Sequence, residues 1–116
     1  MDLSRSVLKD VREAMGLTSD TTDFDTDLLI YINAAFSKLN QNGVGLNITV
    51  VDDTFKWSDF IDPTQTAGNE LFNMVPLFVT LSTKILFDPP PPSSVEYHAS
   101  HIDQLLWRLK IAYESI

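Results

Sequence analysis

The sequence predicts an all-α fold, a small bundle of four to five helices with a long irregular or extended insert. Four segments carry apolar residues at helical spacing, and glycines or prolines separate them. Only one short stretch alternates between apolar and polar residues as a strand does. With 116 residues, of which 44% are apolar and 21% charged, residues 1–116 have the size and composition of one globular domain.

The first helix is predicted within SRSVLKDVREAMGL, residues 4–17. Gly16 is a suitable stop, because glycine readily takes the left-handed conformation that ends many helices. The apolar positions follow the helical period: Leu3, Val7, Val11, Ala14 and Met15.

The second helix is predicted from about residue 25 to residue 42. Thr22 and Asp25 are candidate caps for its start, and the glycines of NGVG, residues 42–45, end it. Its apolar face comprises Leu28, Leu29, Ile32, Ala35, Phe36 and Leu39.

The insert covers about residues 46–68 and lies between the second and third main helices. Ile48 and Val50 alternate with polar neighbours, which indicates a short strand or an extended edge. The stretch KWSDFIDP, residues 56–63, predicts one helical turn closed by Pro63, and the polar linker TQTAGN follows. An irregular segment of this length is uncommon in a compact domain and is usually functional.

The third helix, about residues 70–87, is apolar on nearly every side, which is typical of the buried centre of a bundle. Pro76 is tolerated there if it lies near the first turn. Four prolines then form a corner that stops this helix at Asp88. The predicted corner residues are Asp88, Pro89, Pro90, Pro91, Pro92 and Ser93.

The last helix follows the corner, and Ser93 with Glu96 has the spacing of a capping box at its start. One face of this helix is apolar: Val95, Ala99, Ile102, Leu105, Leu106, Leu109 and Ala112.

Charge and composition exclude several functions. Eight basic against 16 acidic residues give a formal charge of −8, and no basic patch is present to offset phosphate charge, so we expect no sequence-specific nucleic-acid binding. The absence of cysteine excludes disulfides and thiol chemistry. No signal peptide and no apolar run long enough to cross a membrane are recognisable.

Catalytic and metal-binding patterns are weak. Asp23, Asp25 and Asp27 resemble the start of a calcium loop, but the sixth and twelfth positions hold Leu28 and Ala34 instead of glycine and glutamate. We therefore interpret the three aspartates as capping and solvated residues. No phosphate loop or nucleophile elbow is present. The sequence predicts no enzyme, no cofactor and no metal.

His98 and His101 share a face of the last helix, and Glu96 or Asp103 lies nearby. A metal-dependent enzyme built on these residues is therefore kept as a minor alternative.

Three aromatic residues are candidates for either core or partner contact. We expect Trp107 to lie in the core. For Trp57 and Phe60, packing under the insert and docking on a partner both remain open, because aromatic residues in irregular segments are typical interface anchors.

Four blocks of the chain together resemble the head–tail connector, or adaptor, family of tailed bacteriophages. They are DFDTDLLIYINAAFSKLNQNGVG, WSDF, LSTKILFDPPPP and HIDQLLWRLKIAYE, and they extend over residues 23–114. The resemblance implies a helical bundle without catalytic activity, which is made in the bacterial host cytoplasm and is located at the head–tail interface of the virion. It also implies a homo-oligomeric ring, usually dodecameric, beneath the portal protein. Such a ring joins the filled head to a head-completion (stopper) or tail protein, and DNA passes through its lumen.

Beside this resemblance, we expect residues 46–62 to form much of the contact between subunits, because an apolar extended segment can clasp a neighbour. The residues expected there are Ile48, Val50, Phe55, Trp57, Phe60 and Ile61. The negative charge suggests a lumen that repels DNA phosphates. A small helical interaction or regulatory module, whose insert docks on a host protein, remains the alternative function.

Overall fold

The computed structural model describes residues 3–18, 20–60 and 74–114, and these residues form four α-helices and two short 3-10 turns. The all-α prediction is confirmed. α3 lies at the centre and contacts the three other helices. The helices are α1 (Val7–Ala14), α2 (Asp25–Gln41), α3 (Met74–Phe87) and α4 (Val95–Glu114), and the 3-10 turns are Trp57–Phe60 and Pro92–Ser94.

α1 ends at Ala14, and Gly16 follows it as the predicted stop. Gly16 has a φ of +82°, and its N–H donates to the carbonyl of Glu13 at 3.0 Å. The N–H of Leu17 donates to the carbonyl of Arg12 at 2.9 Å. This pair of bonds is a Schellman motif, which satisfies carbonyls that the end of a helix would otherwise leave open.

The start of α2 differs from the prediction. Its N-cap position is Phe24, and no side chain caps it. Thr22 contributes its carbonyl, which accepts the N–H of Asp25 at 3.2 Å, while the carboxylate of Asp25 binds Arg12. Side-chain capping by Thr22 and Asp25 is therefore wrong, because an ion pair to α1 takes the carboxylate.

The end of α2 lies where NGVG predicts it. Gly43 has a φ of +82°, and its N–H donates to the carbonyl of Asn40 at 3.0 Å. The N–H of Val44 donates to the carbonyl of Leu39 at 3.0 Å, so a second Schellman motif closes this helix. Both Val44 and Leu39 are buried, which gives the motif its usual apolar contact.

α3 buries one face rather than its whole circumference. Pro76 lies in the first turn of the described helix and is buried, as the sequence requires, while the predicted start at residue 70 lies outside the described residues. Leu77 and Leu86 are exposed although both are apolar. The prediction of a buried centre is correct for the position of the helix and wrong for these two side chains, because the neighbouring helices leave them uncovered.

For Ile48 and Val50 the sequence left open a short strand or an extended edge, and the strand is wrong. Residues 46–51 have no strand partner, and the part of the insert that the structure describes contains one isolated antiparallel bridge, between Ser6 and Lys56. The predicted helical turn is confirmed as the 3-10 turn Trp57–Phe60. Ile61, Pro63 and the linker lie outside the described residues.

The start of α4 also differs from the prediction. The 3-10 turn Pro92–Ser94 precedes the helix, and no side chain caps that turn. The N–H and the hydroxyl of Ser94 both donate to the carbonyl of Pro91, at 2.9 and 3.0 Å. The predicted capping box of Ser93 with Glu96 is wrong. The 3-10 turn takes its place, because the fixed φ of proline determines the backbone conformation there. α4 buries Ile102, Leu105, Leu109 and Tyr113.

Candidate interaction surfaces

One asparagine side chain fixes the insert to α2. Asn33 Oδ1 accepts the N–H of Val50 at 2.7 Å, and Asn33 Nδ2 donates to the carbonyl of the same residue at 2.9 Å. A side-chain amide thereby satisfies both backbone groups of Val50, as a neighbouring strand would do. The stretch is therefore extended without belonging to a sheet.

Residues 55–57 of the insert pair with the backbone of residues 5–7, at the start of α1. The N–H of Val7 donates to the carbonyl of Phe55 at 3.0 Å, and the N–H of Trp57 donates to the carbonyl of Arg5 at 3.3 Å. With Asn33, these bonds hold the described part of the insert against α1 and α2. At both places, the backbone N–H and C=O groups of the insert form hydrogen bonds within the same chain.

The aromatic residues of the insert pack on Phe36 of α2. The ring of Phe36 lies 6.1 Å from that of Phe55, 6.0 Å from that of Trp57 and 4.6 Å from that of Phe60. Trp57 Nε1 also donates to Asp10 Oδ2 at 2.8 Å. Trp57 is 2% exposed and Phe60 is 1% exposed, so both side chains pack under the insert within their own chain.

The six residues predicted to form the subunit contact therefore have different environments. Val50, Trp57 and Phe60 are buried, Ile48 and Phe55 are partly buried, and Ile61 lies outside the described residues. The large apolar side chains that the described insert exposes are instead Leu46 and Val51, the latter 71% exposed. The sequence does not show which residues of the insert face inward, because their contacts with Asn33 and Phe36 of α2 decide this.

Gly45 allows the insert to leave α2. Its φ is +72°, and a Cβ at this position would overlap the ring of Phe60. The N–H of the next residue, Leu46, donates to the carbonyl of Phe60 at 3.0 Å. A glycine is therefore needed for two reasons, the left-handed backbone and the close approach of a buried ring.

A buried arginine joins the start of α2 to α1. Arg12 is 3% exposed, and its Nε donates to Asp25 Oδ1 at 2.9 Å while Nη2 donates to Oδ2 at 2.5 Å. Asp53 lies 3.9 Å from Nη1. The hydrogen bond to Asp25 raises the pKa of Arg12 above its ordinary value, against the effect of burial. The sequence reasoning missed this pair, although Arg12 lies four residues after Leu8 on the apolar face of α1.

Two other groups have shifted pKa values. The hydroxyl and the N–H of Thr54 both donate to Asp52, and these bonds lower the pKa of Asp52. Burial raises the pKa of Tyr113 to about 12.

The proline corner forms one wall of an open groove between α3 and α4, which we call the corner groove. Its volume is about 690 Å³. The floor and walls are mainly apolar, and Lys84 and Asp88 are the charged residues among them. The lining residues are Leu77, Leu81, Lys84, Ile85, Asp88, Pro89, Pro90, Pro91, Tyr97, His98, His101 and Ile102.

Trp107 is not in the core, so that prediction is wrong. It is 64% exposed, and Ile111, four residues later on α4, is also exposed. The core-facing positions of α4 are Leu105 and Leu109, which places Trp107 on the outer side of the helix. We call the outward-facing group of Trp107, Arg108 and Ile111 the α4 ridge.

His98 and His101 both line the corner groove and are exposed. Among the described residues, no group of three or more His, Asp or Glu side chains is arranged to hold a metal ion. The nearest ring contact of His98 is Tyr97, with centroids 5.5 Å apart. The alternative of a metal-dependent enzyme gains no support from this arrangement.

The described part of the fold has no cluster of His, Asp and Glu side chains that could hold a metal ion. It has an insert held against α1 and α2, an apolar groove and an exposed aromatic ridge. A comparison with protein families matches residues 7–115 to the model of the phage connector proteins. The chain belongs to the phage connector protein family. Comparisons with curated proteins and with solved structures find no match.

Membership of this family makes the chain a structural protein of the phage head–tail region rather than a member of an enzyme family. It also implies a location in the virion and contacts with other phage head or tail proteins. In the described part of the chain, no helix is long and apolar enough to cross a membrane.

Proposed function

We propose that this connector protein forms a ring beneath the portal and joins the filled head to a head-completion or tail protein. The observation that carries the proposal is the family match over residues 7–115, nearly the whole chain. The exposed apolar side chains support it, because a subunit of such a ring has neighbours on two sides and further proteins above and below. Those most exposed are Ile30, Val51, Leu86, Tyr97 and Trp107.

The proposal makes the insert part of the contact between subunits. Its exposed residues Leu46 and Val51 are the side chains that would meet the neighbour, because Trp57 and Phe60 are occupied within the chain. Val51→Asp should weaken ring assembly, and Thr49→Asp is the matched control, since Thr49 is exposed in the same segment. A Val51→Asp variant that shows the same ring population as the unmodified protein in native mass spectrometry would remove the insert from the proposal.

The proposal also includes the passage of DNA through the ring. A formal charge of −8 gives the chain little affinity for phosphates, and an acidic lumen would let the genome slide without sticking. The assembled ring should therefore not retain double-stranded DNA in a gel-shift assay at low salt. Retention that disappears as salt is raised would indicate a basic surface and contradict this part.

A phage whose gene for this chain carries an early stop codon tests the function itself. Heads should fill with DNA but fail to join tails, and the chain supplied from a plasmid should restore infectious particles. Normal tailed particles without the chain would contradict the proposed function.

A further inference from the structure

We propose that the corner groove of one copy receives the α4 ridge of the next copy in the ring. This inference rests on the proposed function and adds the surfaces that would join adjacent subunits. It assigns a binding role to the proline corner, which the sequence alone identifies only as a turn between helices.

The groove has the properties of a site for an apolar side chain. It is an open cleft of about 690 Å³, bounded by apolar residues of α3, by the rings of Pro89 to Pro91 and by Tyr97. Leu77 and Tyr97 are exposed at its sides, so apolar surface remains uncovered in the single chain. Recognition of a helix in an apolar groove between two other helices is a common mode of protein association.

The α4 ridge offers a large exposed apolar side chain, Trp107, as the group that would enter such a groove. Trp107 projects from the outer side of α4 with most of its surface exposed, and tryptophan and arginine are the residue types that most often anchor protein interfaces. A chain cannot place this ridge in its own groove. The groove uses the first turns of α4, Tyr97 to Ile102, whereas Trp107 lies five residues beyond Ile102, about 7–8 Å further along the same rigid helix.

Charge complementarity favours a second copy as the occupant. Arg108 is next to Trp107 on the ridge, and Asp88 lies at the proline wall of the groove. Both side chains are exposed, and within the described residues neither has an ion-pair partner. Lys84 also lines the groove, so the attraction of Arg108 is to the Asp88 end alone, and this pairing would orient the ridge as it enters the groove.

The two surfaces differ from each other, so the contact is heterologous. A groove on one subunit and a ridge on the next repeat from copy to copy, and such contacts generate rings when the rotation between subunits closes. A mutual exchange, in which two copies each fill the groove of the other, would instead stop at a dimer. The number of subunits in the covalently trapped product distinguishes these outcomes.

Disulfide trapping tests the contact directly, because the chain contains no cysteine of its own. The variant with both Asp88→Cys and Arg108→Cys should form, on mild oxidation, a ladder of covalent dimers, trimers and larger species that reducing agent removes. Each single variant alone should give no ladder, while a mixture of the two single variants should give one covalent heterodimer. A product that stops at the dimer would contradict the heterologous contact.

A charge exchange provides an independent measurement. Asp88→Arg alone and Arg108→Asp alone should each lower the fraction of assembled ring in native mass spectrometry at least several-fold, and the double variant should restore it. Lys9→Asp, at an exposed position of α1 outside the groove, the ridge and the insert, is the control and should leave assembly unchanged. The proposal would be overturned if the single variants assembled normally, or if the double variant formed even less ring than either single variant.

The results separate this inference from the proposed function. If the unmodified protein forms rings, but the cysteine pair gives no ladder and the single charge variants assemble normally, the ring stands and the groove–ridge contact is wrong. If the unmodified protein forms no ring either alone or in phage particles, the proposed function fails and the inference fails with it.

Discussion

Arg12 of α1 binds Asp25 of α2 through two parallel hydrogen bonds, Nε to Oδ1 at 2.9 Å and Nη2 to Oδ2 at 2.5 Å. Two-point contact of this kind fixes direction as well as distance. The pair lies where α2 lacks a side-chain cap, so it positions the start of that helix against α1. The rest of α2 then presents Asn33 and Phe36 to the insert.

Asp25→Asn should destabilise the fold, because it leaves the Arg12 charge buried without its main partner. We expect a loss of about 2 kcal/mol or more in the free energy of unfolding, somewhat below the loss typical of a fully buried pair, since Asp25 is partly exposed. Urea unfolding followed by circular dichroism measures the difference. Asp27→Asn, at an exposed position on the same helix turn, is the control, and an equal loss in both variants would contradict the role of the pair.

Gly45→Ala should be far more damaging than Gly43→Ala. Both residues have a φ above +70°, so alanine costs about 1–2 kcal/mol of backbone strain at either position. Only at Gly45 would the new Cβ also overlap the Phe60 ring, which adds about 1–3 kcal/mol of overpacking. Thermal unfolding of the two variants gives the comparison. Similar melting temperatures would show that Phe60 moves aside freely.

The sequence predicted the helices well because their signals are local. The ends of α1 and α2 follow from Gly16 and from the glycines of residues 42–45, whose backbone conformation needs no distant partner. The proline corner likewise follows from the fixed φ of proline. Each of these features depends on a few neighbouring residues, which a single sequence displays.

The candidate surfaces were harder to predict because they depend on contacts between distant parts of the chain. Val50 alternates like a strand residue, yet a side chain from α2 takes the place of the missing strand. Trp107 falls near an apolar face, yet the core uses Leu105 and Leu109 beside it. Whether an aromatic residue points inward or outward is decided by a rotation of α4 that its periodicity does not fix.

Thr83→Val should stabilise the protein. The Thr83 side chain is fully buried in α3, and its hydroxyl has no hydrogen-bond partner among the residues that the structure describes, so an apolar side chain of the same shape removes an unsatisfied polar group. We expect a gain of about 1 kcal/mol in the free energy of unfolding, measured by urea titration. Thr83→Ser keeps the hydroxyl and loses a buried methyl group, so it should destabilise. A loss of stability in the valine variant would contradict this explanation.

The pKa of Asp52 should depend on the hydroxyl of Thr54. Hydrogen bonds from Thr54 lower the folded-state pKa of Asp52 below its ordinary value of 3.8, so this group stabilises the fold above that pH, and the contribution disappears as the pH falls through the folded-state pKa. Thr54→Val removes the larger bond and should raise the pKa part of the way back, which a carboxyl-carbon NMR titration measures. Thr49→Val is the control, and an unchanged pKa in Thr54→Val would contradict the assignment.

We expect this connector protein to form a ring between the head and the tail. Cryo-electron microscopy of intact phage particles, focused on the neck, is the direct test. The density should show a closed ring of copies of this helical bundle beneath the portal, with α4 of each copy against the proline corner of the next. A neck that lacks this chain, or that contains it only as an isolated copy, would contradict the proposed ring.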